Sequence, residues 1–328
     1  MLHNPVAGRG EASRVAEGVV ARLRSAGHQV VAGHSEGPGD LERISRELGD
    51  GVERVLVLGG DGSLREVAAG QLARPSKSRV EIGVLPFGSG NVVARELGLP
   101  LDPMRAVDAI AESPAHPWDV GWARADGGER EPFLAMAGAG YDAAIAERVT
   151  AARKREGGAR WYRSFADSLY VWVGVSEMFR LRPPRFALVI DGERVAERAV
   201  AAVVSNTQTY AKRMQLNPGA RPDDGVFDVN LRTGASALHA ATALVAARLS
   251  PPGPSWAVTT HTGRSIELWA DGEERPFPWQ ADGDAMGRAH ALEIDVDPGA
   301  LRLVGVRVGS HKKAASAPVP RHDAQETP

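Results

Sequence analysis

Cysteine is absent from all 328 residues. That removes disulfide frameworks, thiolate zinc sites, iron–sulfur clusters and cysteine nucleophiles together, and it agrees with a reducing compartment. Lysine is scarce, 5 residues against 34 arginines. The net charge is only −2, which excludes a protein built on bulk electrostatics toward nucleic acid, and no nucleic-acid partner is expected. No stretch approaches the ~18 uninterrupted apolar residues that a membrane-spanning helix needs. Met1 to Gly10 lacks the charged–apolar–small order of a secretory signal, so a cytoplasmic protein is expected. The histidines are scattered without His-x-x-x-His spacing, which disfavours a zinc site or a His-based triad. What is present is ordinary: 43% hydrophobic and 24% charged residues, enough to bury a core and incompatible with wholesale disorder. The length sets one large domain or, better, two.

The first 110 or so positions alternate helix and strand signals. Helices are expected over 14–25, 40–48, 63–72 and 91–97, and another from Asp102-Pro103, where Asp can cap and Pro opens the first turn. Short strands are expected at Val30–Val31, Val55–Leu58 and Ile82–Leu85, the last two all-apolar as strands buried on both faces require. This βαβα order predicts a parallel sheet with helices on both faces. After Pro117 strands dominate: 118–125, 133–137, 185–191, 199–205, 226–232 and 265–270. Helices over 142–155, 161–180 and 236–249 interrupt them. The fold class expected is an α/β N-terminal domain with a parallel sheet and Gly-rich loops (1–117, with 298–308 returning to it), plus a larger, β-rich antiparallel C-terminal domain (118–297). Residues 309–328 read as a disordered tail.

Two glycine-rich turns carry the chemistry. Gly59-Gly60-Asp61-Gly62-Ser63 lies between a buried strand and a helix, where glycine allows close backbone approach to a ligand and the helix start offers N–H groups to phosphate. Ser63-Leu64-Arg65-Glu66 has capping-box spacing. Pro86 to Asn91 repeats the strand–turn–helix pattern, so both turns should face one crevice. Neither turn contains the Lys of a Walker A loop. Each also has a plain reading as a strand–helix connection with Asp61 at the surface.

Taken with Asn4-Pro5-Val6-Ala7-Gly8, Glu66-Val67, Gly88-Ser89-x-Asn91-x-x-Ala94-Arg95, Gly138-Ala139-Gly140-Tyr141-Asp142, Pro218 to Val229 and Gln280-Ala281-Asp282-Gly283-Asp284, the chain resembles the diacylglycerol kinase catalytic family, which includes the sphingosine and ceramide kinases. The resemblance covers about residues 3 to 308 and implies an ATP-dependent lipid kinase using Mg²⁺. It implies that nucleotide phosphates lie over Asn4, Pro5, Ala7 and Gly8, over Gly59, Gly60, Asp61, Gly62, Ser63 and Glu66, and over Gly88, Ser89 and Asn91. Asp282 is implied as general base in the Asp-Gly-acid motif with Asp284, and Asp61 holds that role in some relatives. Asp142 matches a contact to the polar head of the lipid. Asp224, with the carbonyls of Arg221 and Val226, matches a Mg²⁺ site of oxygen ligands.

The chain departs from the family pattern in four places. Val92 follows Asn91 where many relatives have Asp, Asp284 stands for Glu, Lys212-Arg213 replace a Gly pair, and Met1-Leu2-His3 leaves little room for a first strand, as if the start were late or the chain truncated. These departures keep two alternatives open, an NAD kinase-like enzyme with a soluble substrate and a catalytically silent nucleotide-binding regulator. The segment 153–182 interleaves Arg and Lys with aromatic residues, as core packing or as a helix resting on a membrane. The expected partner is a lipid presented at a membrane surface, with peripheral location at the inner face. A homodimer is compatible with the sequence.

Overall fold

The structure is a computed structural model describing residues 1–141, 143–144, 146–148, 185–211, 214–233, 258–272 and 275–306. The expected helices over 161–180 and 236–249, most of that over 142–155, the aromatic and basic segment, Asp142, Lys212-Arg213 and the tail lie outside the described residues.

The N-terminal half runs β1 (Leu2–His3), α1 (Ala7–Gly10), α2 (Ala12–Ser25), β2 (Gly33–His34), α3 (Asp40–Arg46), β3 (Arg54–Gly59), α4 (Asp61–Leu72), β4 (Glu81–Pro86), α5 (Val92–Glu96) and α6 (Pro103–Glu112). The parallel strands stand in the order β2-β1-β3-β4. Val55 to Leu58 are all buried, as a sheet covered on both faces demands. On α2, Ala12, Ala16, Val19 and Val20 are buried at helical spacing and face this sheet. Asp102 caps α6, its side chain accepting from the Arg105 N–H at 2.9 Å with Pro103 in the first turn.

The second half contains β5 (Ala115–Ala125), β6 (Arg130–Phe133), β7 (Met136–Gly140), β8 (Phe186–Ile190), β9 (Glu193–Ala199), β10 (Ala201–Ser205), β11 (Thr209–Ala211), β12 (Met214–Gln215), β13 (Phe227–Arg232), β14 (Val258–Gly263), β15 (Ser265–Ala270), β16 (Phe277–Ala281), β17 (Asp284–Ala289) and β18 (Ala291–Val304). One antiparallel sheet has the order β14-β13-β10-β7-β16-β17. Strands β5, β6, β8, β9, β15 and β18 extend the first sheet, and β11 and β12 pair with each other alone. The long β18 pairs antiparallel with β15 and β5, then parallel with β4 through Leu303 and Val304. One ten-stranded sheet therefore changes from parallel to antiparallel along its width. Phe133, Phe186, Phe227 and Phe277 are fully buried in the core between the two sheets.

The structure corrects four local expectations. Val30–Val31 is not a strand; Val31 is exposed and β2 forms at Gly33–His34, where Gly33 lies against Leu2. Helix α4 begins at Asp61, capped by Gly60 and not by Ser63. The capping box does not form because Glu66 turns to the start of α3, accepting from the backbone N–H groups of Gly39 and Leu41. The strand expected over 133–137 is broken into β6 and β7, because the chain crosses between the sheets at Leu134–Ala135.

Candidate active site

The parallel register brings three loops to one edge. His3 pairs with Leu58, and Gly59 pairs with Pro86, so the chain leaves β1, β3 and β4 side by side. The loops then touch. A Cβ on Gly88 would lie 2.5 Å from the Gly60 Cα, and one on Gly8 would lie 1.9 Å from Cε1 of Phe87. Such approaches exclude any larger residue. The Asn91 side chain accepts from the Gly88 N–H and donates to the Gly88 carbonyl, both at 2.9 Å. Its amide is thus committed to closing the loop, while Gly88 and Ser89 stay exposed. Asn4 closes its own loop, accepting from the Val6 N–H at 3.1 Å. The Ser63 side chain packs beside Gly59. The first N–H groups of α4 have no intrahelical acceptor, as at every helix start, and they lie at the edge where β3 ends.

Asp61 sits where these turns meet. It accepts from the Val93 N–H at 3.3 Å and from the Val92 and Asn91 N–H groups, so it caps α5 from the neighbouring loop. Burial raises its carboxyl, and the nearby charge of Asp282 raises it further. Against those three donors it is still pushed up to about 6.

Asp282 arrives from the other half of the molecule. Ala281 and Asp284 pair across a two-residue turn, Asp282 at φ 49° and Gly283 at φ 86°, which is the hairpin geometry that Asp-Gly favours. The Asp282 carboxylate accepts from the Leu134 N–H at 2.9 Å, from the Ala135 N–H at 2.8 Å and from the Met136 N–H at 3.0 Å. Burial raises its carboxyl above the ordinary value, opposed by these donors and by Arg65. A carboxylate offers roughly four acceptor sites, so about one remains for a substrate. Two carboxyls delivered by opposite halves of the molecule are therefore coupled through one crevice.

Asp284 lies beside them. Its Oδ2 takes the Arg65 guanidinium at 3.0 Å and lies over Gly62, where a Cβ would be 3.2 Å away. The carboxylate of Glu66, by contrast, points at α3. Four residues the motifs did not mark also bear on the site. Arg65 joins α4 to β17. Trp118 and Asn206 hold the Leu134 carbonyl. Asp119 is buried, accepting from Gly225 and Gly299 N–H groups at 2.7 Å each. A charged residue inside the apolar strand Trp118-Asp119-Val120 was the signal available for the last.

The loop 221–226 lies against Asp119. Arg221 pairs with Asp223 at 3.2 Å, and Asp224 accepts weakly from the Val226 N–H at 3.4 Å. Burial raises the Asp119 carboxyl and the charges of Asp224 and Asp223 add to this, against the two glycine donors. Among the described residues no three side chains of His, Cys, Asp or Glu cluster as metal ligands. A cation there would rest on Asp224, main-chain carbonyls and water.

The comparisons agree with this construction. Residues 1–123 match the diacylglycerol kinase catalytic domain, and residues 135–305 match the YegS C-terminal NAD kinase beta sandwich-like domain. The crystal structure of a diacylglycerol kinase from Bacillus anthracis str. Sterne overlays with a TM-score of 0.68 at 19% identity, covering 93% of this chain and 95% of that one, a likeness of fold. The fold is that of the two-domain diacylglycerol kinase type. A diacylglycerol kinase of Mycobacterium tuberculosis is 30% identical over 233 residues, 70% of this chain and 71% of that protein. A probable lipid kinase YegS-like of Chromohalobacter salexigens is 34% identical over 211 residues, 64% of each. The chain belongs to the family of diacylglycerol kinases and YegS-like lipid kinases. Among the described residues no helix is long and apolar enough to cross a membrane.

Proposed function

We propose that this protein transfers the γ-phosphate of ATP to a hydroxyl of a diacylglycerol- or sphingosine-like lipid presented at a membrane surface. The observation that carries the reading is the coupling of Asp61 and Asp282 beside two glycine turns in contact. Phosphoryl transfer asks mainly for positioning and charge neutralisation. The main-chain N–H of the exposed Ser89 and those at the start of α4 suit phosphate oxygens, and neither glycine turn contains a lysine. Asp282 takes the hydroxyl proton through its remaining acceptor site. Asp61, raised toward the working pH, couples to it, so that the pair loses its last proton in the range where a general base is most effective.

The loop 221–226 fits Mg²⁺ by chemistry. Its donors are all oxygen, and the charges of Asp223 and Asp224 crowd the buried Asp119. Mg²⁺ bound there by Asp224 and the carbonyls of Arg221 and Val226 would neutralise that charge and keep several waters. Asp142, the expected contact to the lipid head, belongs to this reading by the family resemblance alone.

The test is transfer of label from γ-labelled ATP to diacylglycerol, sphingosine and NAD, each with and without Mg²⁺. Mixed micelles present the lipids. Labelled lipid supports the reading, and its loss in Asp282→Asn with nucleotide binding intact assigns the base. Label on NAD alone, or on none of the acceptors, overturns it. Asp224→Asn should cancel any Mg²⁺-dependent rise in Tm.

A further inference from the structure

Among the described residues, the carboxylate of Asp282 is held by the backbone N–H groups of residues 134–136, where the chain passes from β6 to β7. Met136 pairs with Ser205, but Leu134 and Ala135 lie in neither ladder, so something else must fix them. The peptide joining Leu134 and Ala135 donates its N–H to Asp282 Oδ1 at 2.8 Å. Its carbonyl, that of Leu134, accepts from Trp118 Nε1 at 3.0 Å and from Asn206 Nδ2 at 2.9 Å. The next peptide donates the Met136 N–H to the same Oδ1 at 3.0 Å. Its carbonyl, that of Ala135, accepts from the Asn206 N–H at 2.8 Å and from the Thr207 hydroxyl at 3.4 Å. Both peptides that donate to Oδ1 of Asp282 are therefore held from behind, and Asn206 touches each.

The Asn206 side chain is kept for its donors. It is fully buried, and Nδ2 also reaches the Asp119 carbonyl at 2.8 Å. Its Oδ1 is buried with no hydrogen-bond partner among the described residues. An amide turned the other way would set Oδ1 against two carbonyls, so its orientation is fixed. A buried acceptor left unsatisfied is unusual in native proteins and calls for a compensating role.

We propose that Asn206 and Trp118 are positioning residues, which hold and polarise the Leu134–Met136 peptides so that Asp282 faces the crevice as an anion. A carbonyl that accepts two hydrogen bonds has a more polar N–H at the far end of its peptide, and chains of hydrogen bonds strengthen one another. Removing a donor weakens the grip on the anion and favours its protonated form. Asp282 is also faced by Asp61 and Arg65 from α4, while Asp284 on its own hairpin is turned to Arg65. None of these groups bonds Asn206 or Trp118, so their influence is unchanged by the variants below.

The proposal rests on Asp282 as the base, and the experiment separates the two. Trp118→Phe deletes one donor and keeps a ring in the core. Asn206→Ala deletes the donors to the Leu134 and Asp119 carbonyls. In the full-length protein, with labelled transfer from ATP to the accepted lipid, both should lower kcat about ten-fold with the KM for ATP unchanged, and both should move the acid limb of the rate profile to higher pH by about half a unit. A residue that served folding alone would lower Tm and leave that limb in place. Folded Trp118→Phe with wild-type kcat and acid limb overturns the proposal, and this variant decides alone if Asn206→Ala does not fold. Asp282→Asn is run in parallel. Full turnover in it defeats the base assignment and the proposal together, whereas its loss beside a normal Trp118→Phe defeats the positioning role alone.

Discussion

Arg65 on α4 donates to Asp284 on β17 at 3.0 Å, and this contact ties the first half of the molecule to the hairpin that carries Asp282. The same guanidinium also lowers the proton affinity of Asp282. Replacing Arg65 with Met keeps much of the side-chain length and removes the cation. The acid limb of the rate profile should then move to higher pH, with kcat falling on the order of ten-fold. Because Asp284 is half exposed, the stability loss should stay below ~1 kcal/mol. A pH–rate profile with a thermal melt checks both.

Asp61 should trade stability for function. Its carboxyl stands at about 6 in the folded protein against an ordinary 3.8. Between those values the folded state keeps a proton that the unfolded chain has released, so stability falls as pH rises through that window. Asp61→Asn should abolish turnover and raise stability at pH 7.5 by on the order of 3 kcal/mol. The gain should vanish below about pH 4. Denaturant melts at several pH values read the effect directly.

The two glycine turns give a graded test. A Cβ on Gly88 meets the Gly60 Cα at 2.5 Å and Asn91 Oδ1 at 2.9 Å, while one on Gly60 meets the Gly88 Cα at 3.1 Å. Gly88→Ala should therefore spread the turns more than Gly60→Ala. Calorimetric titration with ATP should show affinity falling roughly ten-fold or more for the first and by less for the second.

Asp282 has two counterparts that share its turn and not its site. Asp126 and Asp191 also stand at φ 49° before a glycine. Asp126 Oδ1 accepts from the His290 and Ala291 N–H groups at 2.9 and 2.8 Å, and Asp191 Oδ1 accepts from the Arg264 and Ser265 N–H groups at 2.9 Å each. Asp126→Ala and Asp191→Ala should each cost about 1–2 kcal/mol of stability and leave kcat unchanged. Asp282→Ala should lose both stability and turnover. Melts and rate measurements on the three variants separate the structural use of the motif from the chemical one.

Much of this was legible in the sequence. All-apolar runs at Val55–Leu58 and Ile82–Leu85 could only be buried strands, and the glycine turns that follow them had to share an edge once those strands paired in parallel. Asp102-Pro103 marked a helix start from local chemistry alone. The strands of 277–304 were not marked, because their alternation is blurred by Pro278, Gly287, Pro298 and Gly299 and their pairing is with segments far away in sequence. Glu66 had capping-box spacing, but a competing partner at α3 took its carboxylate.

The sequence by itself determined the two halves, the two glycine-rich turns and a set of Asp-Gly pairs. Local geometry makes each of Asp126, Asp191 and Asp282 a turn aspartate before a glycine, and turn chemistry alone does not tell them apart. The motif around Asp282 marked it by resemblance, and only the tertiary structure set it beside Asp61 and Arg65 of the other half. The register of β16 on β7 sets Asp282 against three N–H donors where the chain crosses between sheets, and the ten-stranded sheet brings Asp61 and Arg65 to it from about 220 residues away. The scarcity of lysine acquires its meaning at the same point. Among the described residues, charge beside Asp282 is met by backbone N–H groups and by Arg65, whose placement depends on long-range pairing that no local pattern encodes.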